Sequence, residues 1–227
     1  KLSAVLCKHH KSNFSSTYGF VGGLTGPAEG LRFWEYWFGS GLDELRNKPI
    51  NNGNRLTKRR CYLKRVFYKL GKPDKPVITG YLGHAICAKE MMLEFPSAIF
   101  LILRRNPVEN AMSILNKNNL KGKKWFSVKP KECNSCEKNN YKRIAQQVYW
   151  LNKKLDSLCG DNVISISYEE LCDNPNSLMR TFINFCNTRG LKLKQRTTMP
   201  TEFTKKNYTA YNDYQLFVKE FKVLQHQ

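Results

Sequence analysis

An α/β fold with a mainly parallel central sheet flanked by helices is what these 227 residues predict, and three observations carry the prediction. Three short β-favouring runs, at 77–81, 98–103 and 163–167, are each followed by a stretch of helical periodicity. Strands that alternate with helices need crossover connections, and crossovers give parallel pairing. The middle run, AIFLIL, is apolar without interruption, as a central strand should be, whereas VISIS at 163–167 alternates and suits a strand with one less-covered face. Finally, no repeat of 20–50 residues is visible, which removes solenoids and propellers.

Taken in order, the glycine-rich stretch 19–30 reads as a loop that lacks the GxxxxGK[ST] order of a phosphate loop. The next segment opens with Pro27 and sets Leu31, Trp34, Trp37 and Phe38 at helical spacing, the pattern of a core-facing aromatic stripe. Residues 58–75 are the densest basic stretch; Cys61, Tyr62, Val66 and Leu70 mark the apolar side of a surface helix whose lysines and arginines are wet. The run 77–81 precedes a helix over 84–95, and the run 98–103 precedes one over 107–116. The lysine-rich segment 117–142 has almost no aliphatic residues and reads as an exposed insertion. Ile144, Val148, Leu151, Leu155 and Leu158 then line one face of a helix of about five turns. After the third run, Asn174 is the expected N-cap of a helix with Pro175 in its first turn and Gly190 just past its end. A short helix near 213–224 closes the chain.

Composition bounds the function. Hydrophobic residues make up 41% of the chain, too many for a disordered one, and no apolar run approaches the roughly 18–20 residues of a membrane span. Lysine and arginine number 38 against 18 acidic residues, and a net charge of +20 favours anionic partners such as a phosphorylated nucleotide, an acidic polysaccharide or a nucleic acid. Eight cysteines are too sparse for a disulfide scaffold, and Cys87, Cys159, Cys172 and Cys186 fall in or beside apolar patterns where a thiol packs as a small hydrophobe. Cys133 and Cys136 form a CxxC with no second CxxC or HxxxH to complete a zinc site, Cys7, His9 and His10 being the only distant recruits, so no metal is expected and the pair stays as free thiols or closes a local disulfide. Residues 1–11 lack the apolar core of a secretory signal, and the N-x-S/T sites at Asn13 and Asn207 are what chance gives in so asparagine-rich a chain. The expected compartment is the cytoplasm, or the Golgi lumen if an anchor lies upstream.

In open parallel sheets, ligands bind beyond the carboxyl ends of the strands. The most informative junction is LILRRNPVENAMSIL: an apolar strand ends in Arg104 and Arg105, Asn106 can cap the next helix with Glu109 three residues on, and Pro107 starts it. A guanidinium beside helix N-terminal amides suits a phosphate, and Ser113, two turns into the helix, adds a hydroxyl. Arg105 equally suits neutralising a carboxylate at the sheet edge.

This pattern resembles the sulfotransferase family. Phe95-Pro96-x-Ala98, an apolar strand, Arg105-Asn106-Pro107 and a serine eight residues after the arginine match its F-P-D-A, strand, R-[DN]-P, serine block. Tyr168-Glu169-Glu170-Leu171 before Asn174-Pro175 is similar to its Y-E-[DE]-L and D/N-P elements, Pro27-x-Glu29 to a segment of some members, and Lys205-Lys206-Asn207-Tyr208-Thr209 to its C-terminal H-x-Y-[ST]. The resemblance implies a nucleotide-hydrolase-like P-loop architecture in a single domain over 1–227. It also implies 3′-phosphoadenosine 5′-phosphosulfate as co-substrate, with Arg105 and Ser113 on the 3′-phosphate and Lys205, Lys206 and Tyr208 on the nucleotide from the C-terminal loop. His84, 21 residues before Arg105, falls where the family places a base after a strand; an imidazole with a near-neutral pKa accepts the acceptor hydroxyl's proton. Two departures matter. Gly80 stands where a K-x-P-x-H motif carries lysine, and no G-x-x-[RK]-[ST]-G-T phosphosulfate loop is present, Lys11-Ser12-Asn13 being the nearest string. The loop and its strand are therefore expected upstream of Lys1.

The expected function is transfer of a sulfuryl group from that donor to a hydroxyl of a carbohydrate, lipid or small metabolite. The alternative is a non-catalytic module that binds nucleic acid through 58–75 and 117–142, where basic residues interleave with Tyr62, Phe67 and Tyr68.

Overall fold

The computed structural model describes Trp34 and residues 54–71, 76–121, 125–134 and 136–226. The expected loop at 19–30, most of the helix after Pro27 and the Lys11-Ser12-Asn13 string lie outside the described residues. In chain order the elements are α1 (Asn54–Leu70), a 3-10 turn (Leu82–Ala85), α2 (Ala88–Glu94), β1 (Phe100–Arg104), α3 (Pro107–Lys121), α4 (Asn140–Asp156), β2 (Val163–Ser167), α5 (Tyr168–Asp173), α6 (Pro175–Asn187) and α7 (Asn212–Gln225).

Two of the three predicted strands form. β1 and β2 pair in parallel, from Phe100 opposite Val163 to Arg104 opposite Ser167, with α3 and α4 as the crossover. The run 77–81 is not a strand: it has no ladder partner among the described residues, and Val77 and Ile78 are 41% and 87% exposed. Nor is β1 covered on both faces. Ile102 is buried on one side, while Leu101 and Leu103 on the other are about half exposed.

Most of the hydrophobic core lies where α3, α4 and α7 meet. Ala111, Met112, Ile114 and Leu115 come from α3, Ile144, Ala145 and Val148 from α4, and Phe217, Phe221 and Leu224 from α7, each set recurring every three or four residues so that one helix face carries it inward. Asn139 starts α4, its side-chain oxygen accepting the Tyr141 and Lys142 amides, and the Tyr141 hydroxyl donates to Asp213 Oδ1 at 2.6 Å, tying α4 to α7.

The segment 117–142 differs from the exposed insertion expected. The helix α3 runs on to Lys121, and farther along Val128, Pro130 and Cys133 are buried. Gln147 explains this. It is 1% exposed in the inward face of α4, accepts the Phe126 N–H and donates to the carbonyls of Phe126 and Val128, so it satisfies backbone groups that burial would otherwise strand. The basic helix also turns a different face inward. Cys61 and Tyr62 are exposed, whereas Arg60 is 8% exposed and bonds Glu94 of α2 at 2.8 Å, with Lys64 on the same carboxylate. Phe67 packs on that same side against Trp34 and Phe95, so the inward face is centred on Arg60 and Phe67 rather than on Cys61 and Tyr62. Of the cysteines expected to pack, Cys87, Cys172 and Cys186 are buried but Cys159 is exposed.

After β2 the chain inserts α5 before α6, and Asn174 makes no side-chain cap bond. Past α6, Gly190 has φ +87, and the amides of Arg189 and Leu191 both bond the Cys186 carbonyl, a left-handed stop that a side chain would strain. No helix among the described residues is long and apolar enough to cross a membrane.

Candidate active site at the strand ends

Both strands run the same way, so the residues that follow Arg104 and Ser167 emerge side by side. The two arginines at the end of β1 part company there. Arg104 turns to α4, bonding Asp156 at 2.8 Å and the Asn152 carbonyl at 3.3 Å. Arg105 turns to the other junction, its guanidinium lying 4.8 Å from the centre of the Tyr168 ring, within cation–π range.

Asn106 caps α3 as expected. Its side-chain oxygen accepts the Val108 and Glu109 amides at 2.9 and 3.2 Å. The reciprocal half of a capping box goes elsewhere, because the Asn106 N–H donates at 2.9 Å to Glu169, the first residue but one after β2. The other Glu169 oxygen accepts from the Ser167 hydroxyl, whose oxygen in turn caps α5 by accepting the Glu170 N–H. Burial pushes the Glu169 carboxyl up, but the Asn106 amide, its own amide, Ser167 and Arg105 together hold it below the usual carboxylate range. Glu169 is thus an anion stapling one strand end to the other. Only the Tyr-Glu-Glu-Leu string pointed to it.

Glu109, freed from the capping box, faces Arg105 at 3.9 Å, too long for a hydrogen bond. Arg105 Nε and Glu109 Oε2 are both buried without a hydrogen-bond partner. Arg105 therefore keeps donor capacity at the strand end. Ser113 stands farther along α3, half-buried between the buried Met112 and Ile114.

The C-terminal loop reaches this side of the sheet through α5. The Phe203 N–H bonds the Cys172 carbonyl at 2.7 Å, and Lys205 bonds both oxygens of Asp173 at 2.6 and 2.7 Å. The Asp173 hydrogen bond is the main cause of a raised Lys205 pKa, to which Glu169 also contributes. Lys206 is exposed. Tyr208, expected on the nucleotide, is 5% exposed and packs in the core with Phe217, because the loop turns inward just before α7.

His84 has a different setting from the one its spacing suggested. It lies in the 3-10 turn beside Gly83, where an added Cβ would come within 2.1 Å of the Tyr81 ring. Its ring meets Trp34 edge-on at 4.4 Å and Tyr81 at 5.4 Å, in a cluster that also takes Phe100, the first residue of β1, whereas Arg105 follows the last. Burial lowers its pKa from 6.5 to about 4, not the near-neutral value expected, and Nε2 is buried without a hydrogen-bond partner. The neighbouring Cys87 thiol, donating to the Gly83 carbonyl, is pushed up to about 12 by burial, so it offers no thiolate. Among the described residues no hydrogen bond or ring contact joins His84 to Arg105, and no cluster of three or more His, Cys, Asp or Glu is placed to hold a metal.

Two strand ends cross-tied beside a guanidinium stand at the carboxyl edge of a parallel sheet, where such sheets take their ligands, while the first amides of α3 are already bonded to Asn106 and Glu169. The chain belongs to the sulfotransferase family, whose model matches residues 54–191, more than half of the sequence and a span that includes Arg105, Ser113 and Glu169. That membership brings sulfuryl transfer as its general chemistry. No curated protein and no solved structure matches the chain.

Proposed function

We propose that this protein transfers a sulfuryl group from 3′-phosphoadenosine 5′-phosphosulfate to a hydroxyl of a carbohydrate, lipid or small metabolite, on a P-loop-like sheet edge within one domain. The observation that carries the reading is Arg105. Its buried Nε has no hydrogen-bond partner and its ion pair with Glu109, at 3.9 Å, is too long for a hydrogen bond, beside the Asn106-capped start of α3. A 3′-phosphate accepts from that guanidinium and from Ser113, and Lys205 and Lys206 add positive charge from the C-terminal loop. The Tyr168 face and the Glu169 staple position Arg105 before the nucleotide arrives, so little ordering remains to be done on binding.

His84 is the proposed base. At neutral pH its imidazole is uncharged and its buried Nε2 makes no hydrogen bond; a pKa lowered to about 4 makes it a weak base, and the ring stands at the Phe100 end of β1. It takes the proton of the attacking hydroxyl, while the sulfur–oxygen bond to the leaving phosphate breaks and cationic side chains meet the charge left there.

Adenosine 3′,5′-bisphosphate, the product left by the donor, tests the reading without turnover. At about 100 times its Kd it should stabilise the fold by about 2.7 kcal/mol, or roughly 5–10 °C in Tm. Arg105→Ala should abolish most of that shift, read from the variant's own ligand-free Tm, which falls with the loss of the Tyr168 and Glu109 contacts. A wild-type protein that does not respond to saturating bisphosphate would overturn the proposal. His84→Ala should lower kcat while leaving the bisphosphate shift intact, and equal loss of both would remove His84 as the base.

A further inference from the structure

A second concentration of positive charge lies away from the Arg105 junction. Past Gly190 the chain doubles back along α6, fastened at both ends by asparagine. Asn187 accepts the Leu193 N–H at 2.8 Å and donates to its carbonyl at 3.2 Å. Near the start of α6, Asn176 accepts the Met199 N–H at 3.0 Å and donates to the carbonyls of Met199 and Pro200. Gln195 braces the strap from within, donating to the Thr197 carbonyl at 2.9 Å and to Asn176.

Between these fastenings is an open cavity of about 430 Å³ lined by Asn176, Arg180, Gln195, Arg196, Thr197 and Thr198, a size in the range of small-ligand sites. Arg180 follows Asn176 by four residues, so both stand on the helix face that looks at the strap. The lining holds two guanidiniums, two hydroxyls and no carboxylate. Arg60 and Arg104 are each neutralised by an acidic side chain, but among the described residues Arg180 and Arg196 make neither an ion pair nor a hydrogen bond. The two amides are committed to holding the walls, which leaves the guanidinium forks and threonine hydroxyls for a ligand. Planar forks suit carboxylate and sulfate oxygens, and hydroxyls suit a polyol. A nucleic acid is less well served, since no aromatic ring lines the cavity on which a base could stack.

We propose that this cavity is an anion site that holds a carboxylate or sulfate group of an acidic oligosaccharide, so that the acceptor is a charged glycan anchored by Arg180 and Arg196. The inference deepens the sulfotransferase reading and rests on it for the word acceptor, although the site itself does not.

The test is the affinity of a fluorescently labelled heparin-derived hexasaccharide, read by anisotropy at 0.15 M salt, with maltohexaose as uncharged competitor. Two proteins are compared with the wild type. Arg180→Gln with Arg196→Gln empties the cavity of charge; Arg65→Gln with Lys69→Gln removes equal charge from exposed positions on α1. The cavity variant should bind at least tenfold more weakly, the control pair within twofold of wild type, and maltohexaose should not compete. Equal losses in both variants would reduce the effect to the general field of a basic protein and overturn the site, as would no loss or no binding at all. Adenosine 3′,5′-bisphosphate separates the two proposals. If the cavity variant loses the nucleotide-induced Tm shift instead, the cavity belongs to the donor and the glycan assignment falls. If the wild type shows no shift while hexasaccharide binding depends on Arg180 and Arg196, the anion site stands and sulfuryl transfer falls.

Discussion

Lowering the pH should weaken this fold through His84, by an amount its surroundings set. In the unfolded chain the imidazole takes up a proton as pH falls through 6.5, but in the folded protein, between Trp34 and Tyr81, it does so only near 4. Between those values the unfolded state binds more protons, so stability is lost as pH falls, with a slope approaching about 1.4 kcal/mol per unit, and the loss levels off below the folded value. Discounted for partial exposure, the full cost is about 2–3 kcal/mol. His84→Phe fills the same aromatic cluster without titrating. Urea midpoints measured at pH 7, 6, 5 and 4 should fall more steeply in the wild type than in His84→Phe, the gap opening below pH 6.5. Parallel curves would mean that the imidazole protonates freely in the folded state, and the burial argument would fail.

Other consequences concern the staple and the core. Glu169→Ala removes the acceptor of the Asn106 N–H and the Ser167 hydroxyl, and should cost about 1.5 kcal/mol at pH 7 in denaturant unfolding. Because the folded Glu169 carboxyl sits below its unfolded value of 4.5, that difference should shrink as pH drops below 4.5, and a difference that persists unchanged to pH 3 would refute the ionic role. Gln147→Leu keeps the bulk but leaves the Phe126 and Val128 carbonyls without their donor, at about 3 kcal/mol, with faster proteolysis inside 125–134. A loss under about 1 kcal/mol would show that the segment is held by other contacts.

Local signals were read correctly where local physics decides. Asn106-Pro107 set the start of α3, and the recurrence of Ile144, Val148 and Leu151 gave the buried face of α4. β2 has the predicted bounds, and β1 begins and ends within two residues of its predicted ones. What failed depended on distant partners. Val77–Ile78 has strand-forming residues but no ladder partner among the described residues, and the inward face of α1 is set by Phe67 on Trp34 and Phe95 and by Arg60 on Glu94, contacts that no spacing announces. That Tyr208 packs in the core with Phe217 was likewise not visible in so polar a loop. At the site, Arg105 was legible from its place after a strand. Glu169 was visible as part of a string, but its bond to Asn106 joins residues 63 apart and could not be seen before the strands were paired.

Gln147 has a consequence for anyone who would redesign the molecule. A glutamine on the inward side of α4 makes the neighbouring loop a load on the helix bundle rather than a free attachment, with Val128 and Pro130 as its buried studs. Trimming 125–134 to alter specificity would uncover α4 and leave an amide pointing into an emptied space. Substitutions at exposed positions such as Lys131 and Cys136 change what the loop presents and keep its anchorage whole, whereas Asn134 accepts the Cys136 N–H and is better left.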